Sequence, residues 1–158
     1  MGCTQSSHLD SISVSSGSSF GRGGDIDAAV LAATNFSQGG LSNKLQLGFK
    51  CEDLPNMDTF SKSDPFVVLY KFDTKGHPTQ IGKTEVIHDN LNPEFIKKIL
   101  VDFHFEQKEM FRIAVYDSDD DSQMTKDLSR HDYIGALDFT LHEVVTARDQ
   151  IMTKPMVN

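Results

Sequence analysis

A chain of 158 residues with 15 basic and 23 acidic side chains, formal charge −8, has the length of one domain plus a tail. That charge, with no basic stripe anywhere, argues against nucleic acid as a partner and against a constitutive electrostatic hold on an anionic leaflet. No apolar run approaches the ~18 residues of a helical span, no basic and apolar leader opens the chain, and Cys3 and Cys51 do not suggest a disulfide framework.

Met1-Gly2-Cys3-Thr4-Gln5-Ser6 fits the N-myristoylation pattern, with Gly2 as acceptor, and Cys3 beside it is a natural S-palmitoylation site. One myristoyl chain holds a membrane only marginally. Arg22 is the only basic residue before Lys44, histidine aside, so palmitate on Cys3 is the remaining second signal. Acylation would place the chain on the cytosolic face of the plasma membrane, with a cytoplasmic pool. Residues 1–43 then read as a disordered tether, because 17 of them are Ser or Gly and few are large and apolar. A short helix over Asp25–Thr34 fits there, with Asp25 and Asp27 as capping or solvated acids.

Residues 44–158 read as the folded domain. Leu45, Leu47, Phe49 and Cys51 alternate with polar residues, the period of a half-buried strand, with Cys51 on the inward phase. Phe66–Phe72 is apolar on both phases, a central strand. Gln80–His88 is a third strand between turns at Asp73–Pro78 and Asp89–Pro93. Ile99, Val101, Phe103 and Phe105 share one phase of a fourth, and Lys97 on that phase asks for a bulge. Phe111, Ile113 and Val115 mark a fifth strand. Tyr133–Leu141 is a sixth, Leu141–Thr146 a helical turn and Ile151–Val157 a seventh strand. Short strands without strong helices between them indicate an antiparallel sandwich.

Acids gather at the strand ends. Asp58 and Asp64 stand in the loop before Phe66, with Asp64 fixed by the φ of Pro65. Asp117 and Asp119 close the fifth strand, and Asp132 opens the sixth after a loop long enough to suggest function. Five carboxylates brought together would repel strongly. A hard cation with oxygen ligands relieves this, and Ca²⁺ suits a flexible, many-ligand loop site better than Mg²⁺. Asp120 and Asp121 could compete with Asp132 as ligands or add negative potential. Phe60 at the apex of the first loop, and Met124 in the other, are membrane-insertion candidates that could equally pack on their own loops. Lys83, Lys97 and Lys98 could form an anionic-lipid face, or be ordinary solvated lysines. His88, His104 and His131 read as surface or strand-end residues. No nucleophile elbow, phosphate-binding glycine loop or Cys/His pair appears, so no enzyme activity and no small-molecule substrate are expected.

Ser63-Asp64-Pro65-Phe66, Asn90-Leu91-Asn92-Pro93, Val115-Tyr116-Asp117-Ser118-Asp119 and Asp132-Tyr133-Ile134-Gly135 stand in the order of C2 domains. Over roughly residues 41–157 the chain resembles the first C2 domain of copines, and Met1-Gly2-Cys3 is similar to the start of plant copines. The resemblance implies an all-β, antiparallel eight-stranded sandwich binding Ca²⁺ and anionic phospholipid, with roles in trafficking or signalling and possible protein partners. Counted from Leu45, seven strands are present. The last edge strand, which in that topology lies beside the first, is expected to be missing, together with the second C2 domain and the A-like domain of copines. Two rival functions are a Ca²⁺-independent protein-interaction module and a metal-dependent phosphodiester hydrolase, the latter with only Lys62, Lys126, Arg130 and His131 near the acids.

Overall fold

The computed structural model describes residues 11–17, 42–57, 61–119 and 128–158. Among these residues eight strands follow one another: β1 Ser11–Gly17, β2 Ser42–Glu52, β3 Pro65–Phe72, β4 Pro78–Lys83, β5 Ile99–His104, β6 Met110–Asp117, β7 Asp132–Thr140 and β8 Ile151–Pro155. They form two four-stranded antiparallel sheets, ordered β5-β2-β1-β8 and β4-β3-β6-β7. Alternation decides what lies between the sheets. Leu45, Leu47, Phe49 and Cys51 of β2 meet Val67 and Leu69 of β3, Phe111, Ile113 and Val115 of β6, and Leu137 and Phe139 of β7 in one buried cluster. Cys51 is fully buried there, and burial pushes its thiol up to about 12, so it is an inert packing residue.

After β7 the chain turns into a short helix, α1 (Leu141–Thr146). The Thr140 hydroxyl accepts the Glu143 N–H while Glu143 accepts the Thr140 N–H, a reciprocal cap that fixes where the strand stops. Lys154 of β8 donates to Glu143, tying this corner to the first sheet. Beyond β8, Val157 bridges to Ala136 of β7, so the C-terminal residues cross from one sheet to the other.

Three expectations from sequence are corrected. The third strand stops at Lys83 rather than His88. Thr84 and Ile87 still donate their N–H groups to Val67 and Pro65 carbonyls, but the ladder is no longer continuous. No bulge is needed at Lys97, because β5 begins at Ile99, and Phe105 lies past its end, exposed in a turn. The largest difference is β1. It falls inside the segment read as tether, and it stands between β2 and β8, where the missing edge strand was expected. The position is interior, not an edge. Ser and Gly argue against a separate core, but an inner strand is held mainly by backbone pairing on both sides, and this one adds Val14, fully buried, to the cluster. The expected helix over Asp25–Thr34 lies outside the described residues.

Candidate functional site

Strand polarity brings the acids to one end of the sandwich. Pro65 at the start of β3 pairs with Asp117 at the end of β6, and Asp117 pairs with Asp132 at the start of β7. Asp117 continues the inward phase of Phe111, Ile113 and Val115, so a carboxylate stands where the apolar core ends; it is 1% exposed. A register shift between Val115 and Tyr116 lets Asp132 fall opposite Asp117, as bulges beside functional ends commonly re-aim a strand.

Asp64 and Asp117 are brought together. The Asp64 N–H donates to Asp117 Oδ1 at 2.5 Å, and Ser118 N–H donates to the Asp64 carbonyl at 3.1 Å. The other oxygen, Asp117 Oδ2, is buried with no hydrogen-bond partner. A buried carboxylate oxygen without a donor is costly, and its lone pairs could take a hydrogen-bond donor or a hard cation. Asp64 turns its own carboxylate to the neighbouring turn: Oδ1 accepts the Asp89 N–H at 2.7 Å and Oδ2 faces His88 Nδ1 at 2.8 Å. Each carboxylate oxygen keeps a further lone pair, so these bonds do not prevent it from acting as a ligand.

Asp119 and Asp132 of the expected cage are not gathered into a metal-holding cluster there. Asp119 and Asp132 are both exposed, and among the described residues no three His, Cys, Asp or Glu side chains lie close enough together to hold a metal ion. Asp58, Phe60, Met124, Gly2 and Cys3 lie outside the described residues, as do Asp120 and Asp121. Lys83 stands over the Phe66 ring at the end of β4, whereas Lys97 and Lys98 precede β5 in the other sheet. Between them Glu85 accepts the Ile96 and Lys97 N–H groups, so an acid interrupts this basic edge.

Reading by residue type missed the residues that shape the loops. Ser63 is fully buried; its hydroxyl accepts the Met57 N–H at 2.9 Å and donates to the Pro55 carbonyl at 3.3 Å, while its own N–H donates to Asn56 Oδ1. The turn after His88 is a buttress. Asp89 Oδ1 accepts the Lys62 N–H, Asn92 Oδ1 accepts the Asp53 N–H, and the Leu91 carbonyl accepts the Leu54 N–H. Asp53 and Asp89 both adopt φ 54°, a left-handed conformation that Asp tolerates better than most side chains. Asp89, Asn90 and Asn92 ahead of Pro93 were the available signal, legible as a turn but not as a support. Ser63→Ala should leave the Met57 N–H without its partner and destabilise the protein by about 1–3 kcal/mol. It should also weaken cation binding with every acid still in place. A thermal melt and a calorimetric Ca²⁺ titration would test both effects, and wild-type values in both would remove Ser63 from the loop scaffold.

A family model described as the C2 domain matches residues 47–156, from within β2 to just past β8, leaving β1 outside the match. Copine-B of Dictyostelium discoideum is 38% identical over 104 residues, covering 65% of this chain and 20% of that protein. Protein BONZAI 1 of Arabidopsis thaliana is 31% identical over 150 residues, covering 87% of this chain and 26% of that protein. The chain thus spans about a fifth to a quarter of the length of these relatives. A solved C2 domain of RIM from Drosophila superposes with a TM-score of 0.54 at 10% identity, covering 94% of this chain and 98% of that one, a likeness of fold alone. With the matched segment making up well over half of the chain and the two sheets in place, the chain belongs to the C2 domain family and is a copine-like C2 domain.

Proposed function

We propose that this domain binds Ca²⁺ at the loop end through Asp58, Asp64, Asp117, Asp119 and Asp132, and so docks on anionic phospholipid at the cytosolic face of a membrane. The carrying observation is Asp117 Oδ2, a buried carboxylate oxygen without a hydrogen-bond donor, while Asp117 Oδ1 accepts the backbone N–H of Asp64. Asp64 and Asp117 would hold the ion first, and Asp119, Asp132 and Asp58 would close on it from their loops. Bound there, Ca²⁺ supplies positive charge and open coordination positions for lipid phosphate oxygens. Until then the acidic mouth is repelled by an anionic leaflet. By their position in the sequence, Phe60 and Met124 are the side chains proposed to enter the lipid, and the proposed chemistry is binding rather than catalysis. Calorimetric Ca²⁺ titration with and without phosphatidylserine vesicles tests the reading. Binding that vesicles do not strengthen, or no binding at all, would refute it.

We further propose acylation at Gly2 and Cys3, holding the chain near the plasma membrane in trafficking or signalling. Gly2→Ala should shift the protein from membrane to cytosol when cellular Ca²⁺ is low, and Cys3→Ser should do nearly the same, since one chain anchors only marginally. Fractionation of both variants like wild type would show that acylation does not hold the protein there.

A second reading, Ca²⁺-independent protein interaction, is favoured by one observation. The outer face of the β4-β3-β6-β7 sheet carries a shallow groove of about 410 Å³ lined by Tyr70, Pro78, Arg112, Tyr116 and Tyr133. Tyr and Arg are residue types enriched where interfaces concentrate their energy. Retention of partner proteins by the Asp64→Asn variant in chelator would favour this reading over lipid docking.

A further inference from the structure

β1 runs antiparallel to β2, with Ser11 opposite Glu52 and Gly17 opposite Gln46. β2 enters the sandwich at Ser42 and leaves it at Glu52, directly before the loop that contains Ser63 and Asp64. Ser11 therefore stands at the acidic end, and Gly17 towards the opposite end, where the chain re-enters at Ser42. The β8 pairing agrees, since Ser11 also lies opposite Pro155, just ahead of the Val157 bridge to β7. Had β1 paired with β2 in parallel, Ser11 would sit about 20 Å further away, the length of such a strand at 3.2–3.4 Å per residue.

We infer that β1 delivers the N-terminus to the same face of the domain as the acidic loops, so that an anchor on the first residues and the Ca²⁺ loops engage one bilayer together. This rests on the lipid-docking reading above and adds its orientation. Ten residues precede Ser11, and the backbone of ten residues can reach at most about 35 Å. An anchor at residue 2 or 3 thus holds the loops within reach of the surface it is embedded in. Loop docking then becomes an intramolecular step at an effective concentration of order mM. The domain needs no rotation to dock. An anchor at the far end would hold the loops away, with the whole length of the sandwich between them and the lipid. β1 thereby has a mechanical role beyond completing the sheet: its polarity decides which end of the domain faces the membrane.

The test reads orientation without Ca²⁺. A hexahistidine anchor is placed either at residue 1 or within segment 18–41, which joins β1 to β2 at the opposite end. The protein is tethered to phosphatidylcholine vesicles carrying a nickel-chelating lipid and an energy-transfer acceptor. A donor dye is attached at Lys62→Cys in the loop end, or at Gln107→Cys in the turn between β5 and β6 at the other end, in a Cys3→Ser background where Cys51 is buried. With the anchor at residue 1, transfer from position 62 should exceed that from position 107. With the anchor in 18–41, the order should reverse. The same order for both anchors, or greater transfer from 107 with the anchor at residue 1, would overturn the inference. Ca²⁺-dependent sedimentation on phosphatidylserine vesicles, measured on the untagged chain, reports separately on the lipid-docking reading. Its failure would leave the orientation result standing.

Discussion

Asp117→Asn is expected to raise the Ca²⁺ concentration needed for half-maximal vesicle binding by about a hundredfold or more, a loss of ~2.7 kcal/mol. Asp64→Asn should do the same. Neither should unfold the protein. Asparagine at 117 retains a carbonyl oxygen for the Asp64 N–H, and neutralising the side chain removes a buried charge whose second oxygen has no donor. At position 64, the amide oxygen can still accept the Asp89 N–H, and the amide N–H can donate to His88 Nδ1 in its neutral form. In chelator, both variants should therefore melt at or slightly above the wild-type temperature. Lower affinity with undiminished apo stability distinguishes a ligand from a structural acid. If either variant melts many degrees lower in chelator, its carboxylate is a packing element. If both bind vesicles in Ca²⁺ like wild type, the site lies elsewhere.

Much of this site could be read from sequence because strand ends and acids coincide there. Asp64-Pro65-Phe66 and Tyr116-Asp117 each put a carboxylate at the boundary of a continuous apolar run, and such boundaries mark the ends of buried strands. Phase fixed Asp117 more closely still: two residues beyond Val115, it must share that residue's inward direction. Asp119 and Asp132 lacked this constraint. Both are exposed, and neither residue type nor spacing states where a solvent-facing loop acid points. His88 could not be assigned because its contact with Asp64 crosses 24 positions of sequence. It depends on how the turn of residues 88–92 folds back on the first loop, which no local pattern encodes.

The fold was legible wherever alternation was long. β2, β6 and β7 were found from their periods, and α1 from its bounds. β1 was not, although Ser11-Ile12-Ser13-Val14-Ser15 does carry a period of two. The signal is short and surrounded by Ser and Gly, which lower the hydrophobicity of any window placed over it. What makes the segment a strand is the vacancy between β2 and β8, a long-range property of the other elements. Tertiary context overrides local composition here, as it commonly does for β propensity.

That dependence runs both ways, so removal of residues 1–17 should be the most damaging change to the fold. Among the described residues β8 has no sheet partner other than β1, and β2 would lose one of its two neighbours. Backbone groups paired along Ser11–Gly17 would become a split in the sheet, and the cluster would lose Val14. At ~1 kcal/mol per net hydrogen bond, the loss is roughly 5 kcal/mol or more, comparable with the entire stability of an ordinary domain. The shortened chain is expected to lose its cooperative melt or to associate through the exposed edges of β2 and β8. A milder version isolates the packing contribution. Val14→Ala, at a fully buried position, should cost about 2 kcal/mol and lower Tm by roughly 4–8 °C. Thermal melts with light scattering on wild type, Val14→Ala and the chain lacking residues 1–17 would decide. If the shortened chain remains monomeric and melts like wild type, β1 contributes nothing to the sandwich, and the N-terminus is a tether after all.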